Sequence, residues 1–182
     1  MKNPSNLKKI CSFYVSKYHL VTMILPFLKE KLEQKAKIVT LLEENLTENM
    51  QTLLTNINFN LKDKKEIEKI NWSNTNILKY KELESYINGA VNKTKDLYVL
   101  ISGNKDYIEL MNKNVEKWID KNTLKVKSLS IINCYEVTQF NNSIKEILDK
   151  HDKILNTSGE KNIEDVFTGY IRNEKLNNIV NN

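Results

Sequence analysis

Two short stretches carry the residue types that meet anions. "SGNKD" (Ser102 to Asp106) follows an apolar run and precedes a helical pattern, with one glycine, Asn104 and Lys105. The first amides of a helix starting there would face an anion. "YVSKYHL" (Tyr14 to Leu20) stands in the same kind of place and offers Tyr14, Ser16, Lys17 and His19. A phosphate loop needs glycines so that successive backbone amides can wrap the phosphate, with a lysine and a hydroxyl for Mg²⁺. "YVSKYHL" has no glycine, and "SGNKD" is too short for that motif. Glu43 and Glu44 follow a third apolar run, where adjacent carboxylates either cap, hydrate, or hold a cation or an amine.

The remaining candidates are sparse. His19 falls in a first helical turn, whose dipole disfavours imidazolium. His151 falls on an apolar helical stripe, where a histidine is ordinarily packed and satisfied by a backbone carbonyl. Cys11 and Cys134 each sit inside an apolar, strand-like run without CxxC spacing, which reads as two buried thiols and no zinc site or disulfide framework. No Ser-His-Asp, GxSxG or HExxH pattern occurs, so no catalytic residue and no metal ligand is assigned. Tyr14, Tyr18 and Tyr135 either cluster at strand ends to stack on a planar ligand or pack in the core.

The elements that must position these residues are legible from periodicity, because only four glycines and two prolines punctuate the 182 residues. "ICSFYV" (10–15) reads as a strand. Ser16 caps a helix carrying Leu20, Ile24, Phe27, Leu28 and Leu32, with a kink expected at Pro26. "AKIVTLL" (36–42) reads as a buried strand, and Met50, Leu53, Leu54 and Ile57 mark a second helix. "EIEKINW" (66–72) reads as a weaker strand, with Ile70 and Trp72 alternating. Tyr80, Leu83, Ile87, Ala90 and Val91 give a third helix, "LYVLIS" (97–102) the clearest strand, and Ile108, Met111, Val115, Trp118 and Ile119 a fourth helix. "LKVKSLSIINCY" holds one or two strands. Ser143 and Glu146 have capping-box spacing for a fifth helix, and "HDKILNT" either ends that helix or forms a last strand. The apolar positions from Ile163 to Ile171 suit a terminal helix.

Such alternation predicts one α/β domain: a mostly parallel sheet of five or six strands with helices on both faces. Ligands of open α/β sheets bind outside the carboxyl ends of the strands. That edge would carry residues 14–17, 43–45, 73–74 and 102–104, with Tyr135 and Glu136.

Two blocks resemble a known family. Cys11, Tyr14, Pro26 and Phe27 in "CSFYVSKYHLVTMILPF", and Cys134, Tyr135, Glu136 and His151 in the late block, are similar to the MEDS domain, the methanogen/methylotroph sensory domain of the dichloromethane-regulator type. The likeness runs from Ile10 to about Leu155. It departs in "EKLEQKAKI", where the family has glycines and an acid, in Glu136, where an aspartate is common, and in the missing spacer between Cys134 and Tyr135. The resemblance implies a RecA- or KaiC-like core without a working phosphate loop. It implies a MEDS-like sensory domain over 1–160 and a tail, helix or linker over 161–182.

The function it implies is non-catalytic signalling. A small effector of unknown identity, or a partner such as a kinase or transcription regulator, would bind at the strand-end crevice. The alternatives are a divergent ATPase-like enzyme using Lys17 or Lys105 with Glu43 or Glu44, and a homo-oligomeric interaction module. The cofactor is unknown. The net charge of +5 is spread over lysines interleaved with acids, with Arg172 the only arginine, which argues against direct nucleic-acid binding. No apolar run reaches the ~18 residues of a membrane span and no signal-peptide pattern opens the chain, so a cytoplasmic location is expected.

Overall fold

Apolar runs of six to eleven residues alternate with amphipathic helices. In the computed structural model, which describes residues 7–91, 94–139 and 144–172, they assemble into one six-stranded sheet. In chain order the elements are β1 (Leu7–Tyr14), α1 (Lys17–Glu33), β2 (Lys37–Leu42), α2 (Thr47–Asn56), α3 (Leu61–Glu68), α4 (Tyr80–Ala90) and β3 (Thr94–Ser102). There follow α5 (Lys105–Lys121), β4 (Val126–Glu136), α6 (Ile144–Asp149), β5 (Lys153–Asn156), β6 (Gly159–Asn162) and α7 (Ile163–Val166). The strands lie in the order β2-β3-β4-β1-β5-β6. All neighbours pair in parallel except β6, which returns antiparallel to β5. The expected α/β architecture, a mostly parallel sheet with helices on both faces, is the one observed.

Central strands covered on both faces must be apolar at nearly every position, and β4 is buried from Leu129 to Tyr135. On one face α1, α2 and α3 cover Ile10, Leu42, Leu100 and Ile132; α1 alone buries seven side chains between Leu20 and Leu28. On the other, α4, α5, α6 and α7 cover Cys11, Val39, Val99 and Ile131 around the fully buried Trp118. Pro26 stays inside α1, on its solvent side, where the Thr22 carbonyl that loses its helical donor is not sealed in the core.

Two sequence expectations change, and two open readings resolve. "EIEKINW" is no strand. Residues 61–68 form α3, capped by Asn60, whose side chain accepts from the Asp63 amide at 2.8 Å. Lysine and glutamate favour helix there, and the apparent alternation comes from two anchors. Ile67 is buried from the helix, and Trp72 from the loop beyond it, its indole N–H donating to the Ile67 carbonyl at 2.9 Å. "HDKILNT" resolves to strand β5, and "LKVKSLSIINCY" to the single strand β4. The terminal helix starts at Ile163 as expected but shrinks at its far end to α7, and Phe167 and Tyr170 pack on the core after it. Ser143 of the expected capping box and residues 173–182 of the tail lie outside the described residues. No helix among the described residues is long and apolar enough to cross a membrane.

Candidate functional site at the strand ends

The register places Tyr14 opposite Glu136, Ser102 opposite Cys134, and Leu42 opposite Ser102, so β1 to β4 end along one edge. β1 leads into α1 on one face; its neighbour β4 leads towards α6 on the other. Adjacent connections leaving in opposite directions make the β1/β4 boundary the switch point of the sheet, the place where ligands of such sheets sit.

On the β1 side the connection to α1 is only Val15 and Ser16. Ser16 Oγ accepts from the His19 amide at 3.2 Å, and His19 Nδ1 accepts from the Val15 amide at 3.2 Å. The imidazole therefore acts as an acceptor, as a neutral ring can. Val15 and Tyr18 stand 61% and 47% exposed beside this turn. Tyr14 is buried, and its hydroxyl reaches past the end of β4 to Ser102 Oγ at 3.3 Å. Burial pushes its phenol up to about 12, against the lowering effect of the Ser102 hydrogen bond.

A second cluster closes the β2 and β3 ends. The Glu43 carboxylate accepts from the Asn104 amide and from Asn104 Nδ2, both at 2.6 Å, while Asn104 Oδ1 caps α5 by accepting from the Tyr107 amide at 2.9 Å. The anion expected at "SGNKD" thus has an occupant from the chain itself. Gly103 permits this approach: a Cβ there would lie 2.6 Å from Glu43 Oε2 and 2.7 Å from Tyr107 Cδ1. Lys17 pairs with Glu44 at 2.8 Å between exposed side chains. The loop carrying Ser73 and Asn74 reaches this edge without a strand, through Asn74 Nδ2 to the Glu43 carbonyl at 2.8 Å and the Thr75 amide to the Leu42 carbonyl at 3.0 Å.

The predicted residues therefore divide. Glu43, Ser102, Asn104 and Tyr14 form one connected cluster; Ser16, Lys17, His19 and Glu44 form its neighbour. Glu136 ends β4 opposite Tyr14. Tyr135 points to the other face, stacked on Phe13 at 5.9 Å and edge-on to His151 at 5.9 Å, and burial pushes its phenol up. The three tyrosines do not converge: Tyr14 and Tyr135 belong to opposite cores, and Tyr18 faces solvent. Successive residues of a strand point to opposite faces, and Tyr14 and Glu136 are register partners on one face, which puts Tyr135 on the other. Lys105 turns towards Glu146 at 3.2 Å.

One group escaped the sequence reading. A cleft of about 190 Å³ opens between α5 and α6 over β4 and β1, floored by Asn112, Asn133 and His151. The available signal was Asn133, a polar residue inside an apolar strand run, which must find a partner when buried. His151 is packed and satisfied by a backbone carbonyl, Nδ1 lying 2.6 Å from the Ile147 carbonyl, but it does so from the turn after α6, which ends at Asp149, and not from a helical stripe.

No family model matches the chain, and no curated protein matches it. Among solved structures it is similar to a KaiC-like protein of the hyperthermophilic archaeon Pyrococcus horikoshii OT3. The TM-score is 0.44 and the identity 11%, over 81% of this chain and 69% of that one.

Proposed function

We propose that the protein is a non-catalytic sensory or regulatory domain, of the MEDS-like kind that its two sequence blocks resemble, which binds a small effector or a partner protein at the β1/β4 switch point. The observation that carries this reading is the β1–α1 turn. Two residues, closed by reciprocal hydrogen bonds between Val15, Ser16 and His19, leave no run of amides to wrap a phosphate. The groups that phosphoryl transfer would use are engaged elsewhere, Lys105 with Glu146 and Glu43 with Asn104. Exposed Val15 and Tyr18 give the same turn an apolar, aromatic surface suited to recognition. A ligand that prefers one arrangement of the rim shifts the population towards it and alters contacts with a downstream protein.

The test is a thermal-shift and calorimetric screen of nucleotides and metabolites, run on the parent and on Tyr18→Ala. A true effector at about 100 times its Kd adds about 2.7 kcal/mol, on the order of 5–10 °C for a chain of this size, and most of that shift disappears in Tyr18→Ala. Mg²⁺-dependent phosphate release that falls in Lys105→Ala or Glu43→Ala would replace this reading with the hydrolase.

A further inference from the structure

The α5/α6 cleft has a donor–acceptor pattern that can be assigned atom by atom. The Ile147 carbonyl can only accept, so His151 Nδ1 carries the proton and donates to it at 2.6 Å. Neutral His151 then presents Nε2 as an acceptor, and the group 2.9 Å away must be the Asn133 NH₂. That orientation turns Asn133 Oδ1 towards Asn112, whose NH₂ donates to it at 2.7 Å and to the Ile108 carbonyl at 2.8 Å. Asn133 Nδ2 gives its second hydrogen to Asn112 Oδ1 at 3.1 Å. Every amide hydrogen of the floor is used. What remains is acceptor capacity, one lone pair on each Oδ1, at the floor of the cleft, which half-buried Asn112 and the buried Asn133 both line.

The rim has the complementary excess. The cleft's carboxylates are all engaged: Glu116 by Lys9, Glu146 by Lys105 and Lys150, and Glu109 by Lys150. Lys113, exposed on the same stripe of α5 as Lys105, Glu109, Asn112 and Glu116, has no ion pair among the described residues. The spare charge at the mouth is positive, and the spare capacity at the floor accepts hydrogen bonds.

We infer that the α5/α6 cleft is a binding site for a small hydroxylated or aminated anion, with its carboxylate or phosphate at Lys113 and an O–H or N–H donating to the amide oxygens of Asn112 and Asn133. This site goes beyond the strand-end reading and stands whether or not the rim binds an effector. The probes are glycerate, glycerol 3-phosphate and uncharged glycerol, titrated into ¹⁵N-labelled protein while the side-chain amide signals of Asn112 and Asn133 are followed. Glycerate, glycerol 3-phosphate or both move these signals to saturation, and which does so identifies the anionic group. Glycerol does not. Lys113→Gln, an exposed substitution, weakens binding roughly fivefold, the effect of one partly screened charge. Lys117→Gln, on the Tyr80 side of α5, leaves it unchanged. The inference is overturned if neither anion moves the two amides, if glycerol moves them equally, or if Lys113→Gln binds like the parent.

Discussion

At the scale of single residues, His151 is the side chain whose protonation the fold opposes most clearly. Burial pushes its imidazole down to about 4, against the raising effect of its bond to the Ile147 carbonyl; Lys9 and Lys150 add to the depression and Asp152 opposes it. Protonation would set an N–H against the Asn133 amide hydrogens. The unfolded chain binds this proton near the ordinary value of 6.5, so between 6.5 and about 4 the unfolded state holds more protons and stability falls as pH falls. The depressed value corresponds to on the order of 3 kcal/mol, present in full above pH 6.5 and lost by about pH 4. Urea unfolding of the parent and His151→Gln from pH 7.5 to 4.5 checks this. The difference between the two should be largest at pH 7.5 and shrink steadily below 6.5; a difference independent of pH would remove neutral His151 from the account. The sequence marked His151 as packed from a helical stripe that the structure does not extend so far: α6 ends at Asp149, and the histidine is buried from the turn before β5. It left Asn112 and Asn133 unpaired on the page, since nothing local says that a strand position and a helix position 21 residues apart will face each other.

At the scale of elements, the clasp between the end of β2 and the start of α5 depends on close backbone approach. A methyl group at residue 103 would collide with Glu43 Oε2, Glu43 Cβ and Tyr107 Cδ1, all within 2.8 Å. Gly103→Ala should therefore cost about 1–3 kcal/mol, the usual penalty for overpacking. Made in a Glu43→Ala background, it should cost less, because the Oε2 collision vanishes while those with Cβ of residue 43 and with Tyr107 remain, and the energies of touching residues do not add. Equal costs in both backgrounds would place the strain elsewhere. The capping logic behind this clasp was readable in advance where the cap is local. Ser16 before α1 is such a case. Local pattern failed at 66–72, where Ile67 and Trp72 imitate a strand from a helix and a loop. It failed again at β6, whose Gly-Glu-Lys-Asn sequence is a strand only because β5 offers an edge to pair with.

At the scale of the whole molecule, the sheet is shared by two separate cores, and the two cysteines report on one each. Cys11 on β1 belongs to the face covered by α4, α5 and α6; Cys134 on the adjacent β4 belongs to the face covered by α1, α2 and α3. Both are fully buried, and burial pushes both thiols up, Cys11 to about 12. Neither forms appreciable thiolate in the folded state, so labelling by a disulfide reagent must wait for opening. The faces share every central strand, so a single cooperative transition is expected, with Cys11→Ala and Cys134→Ala variants labelling at matched rates and with the urea dependence of global unfolding. The alternative outcome has functional content. Were Cys11 to label more than tenfold faster with a weak urea dependence, the α4–α6 face would open alone. The layer holding the α5/α6 cleft would then be the moving part, and the α1–α3 layer beside the β1 turn the fixed one.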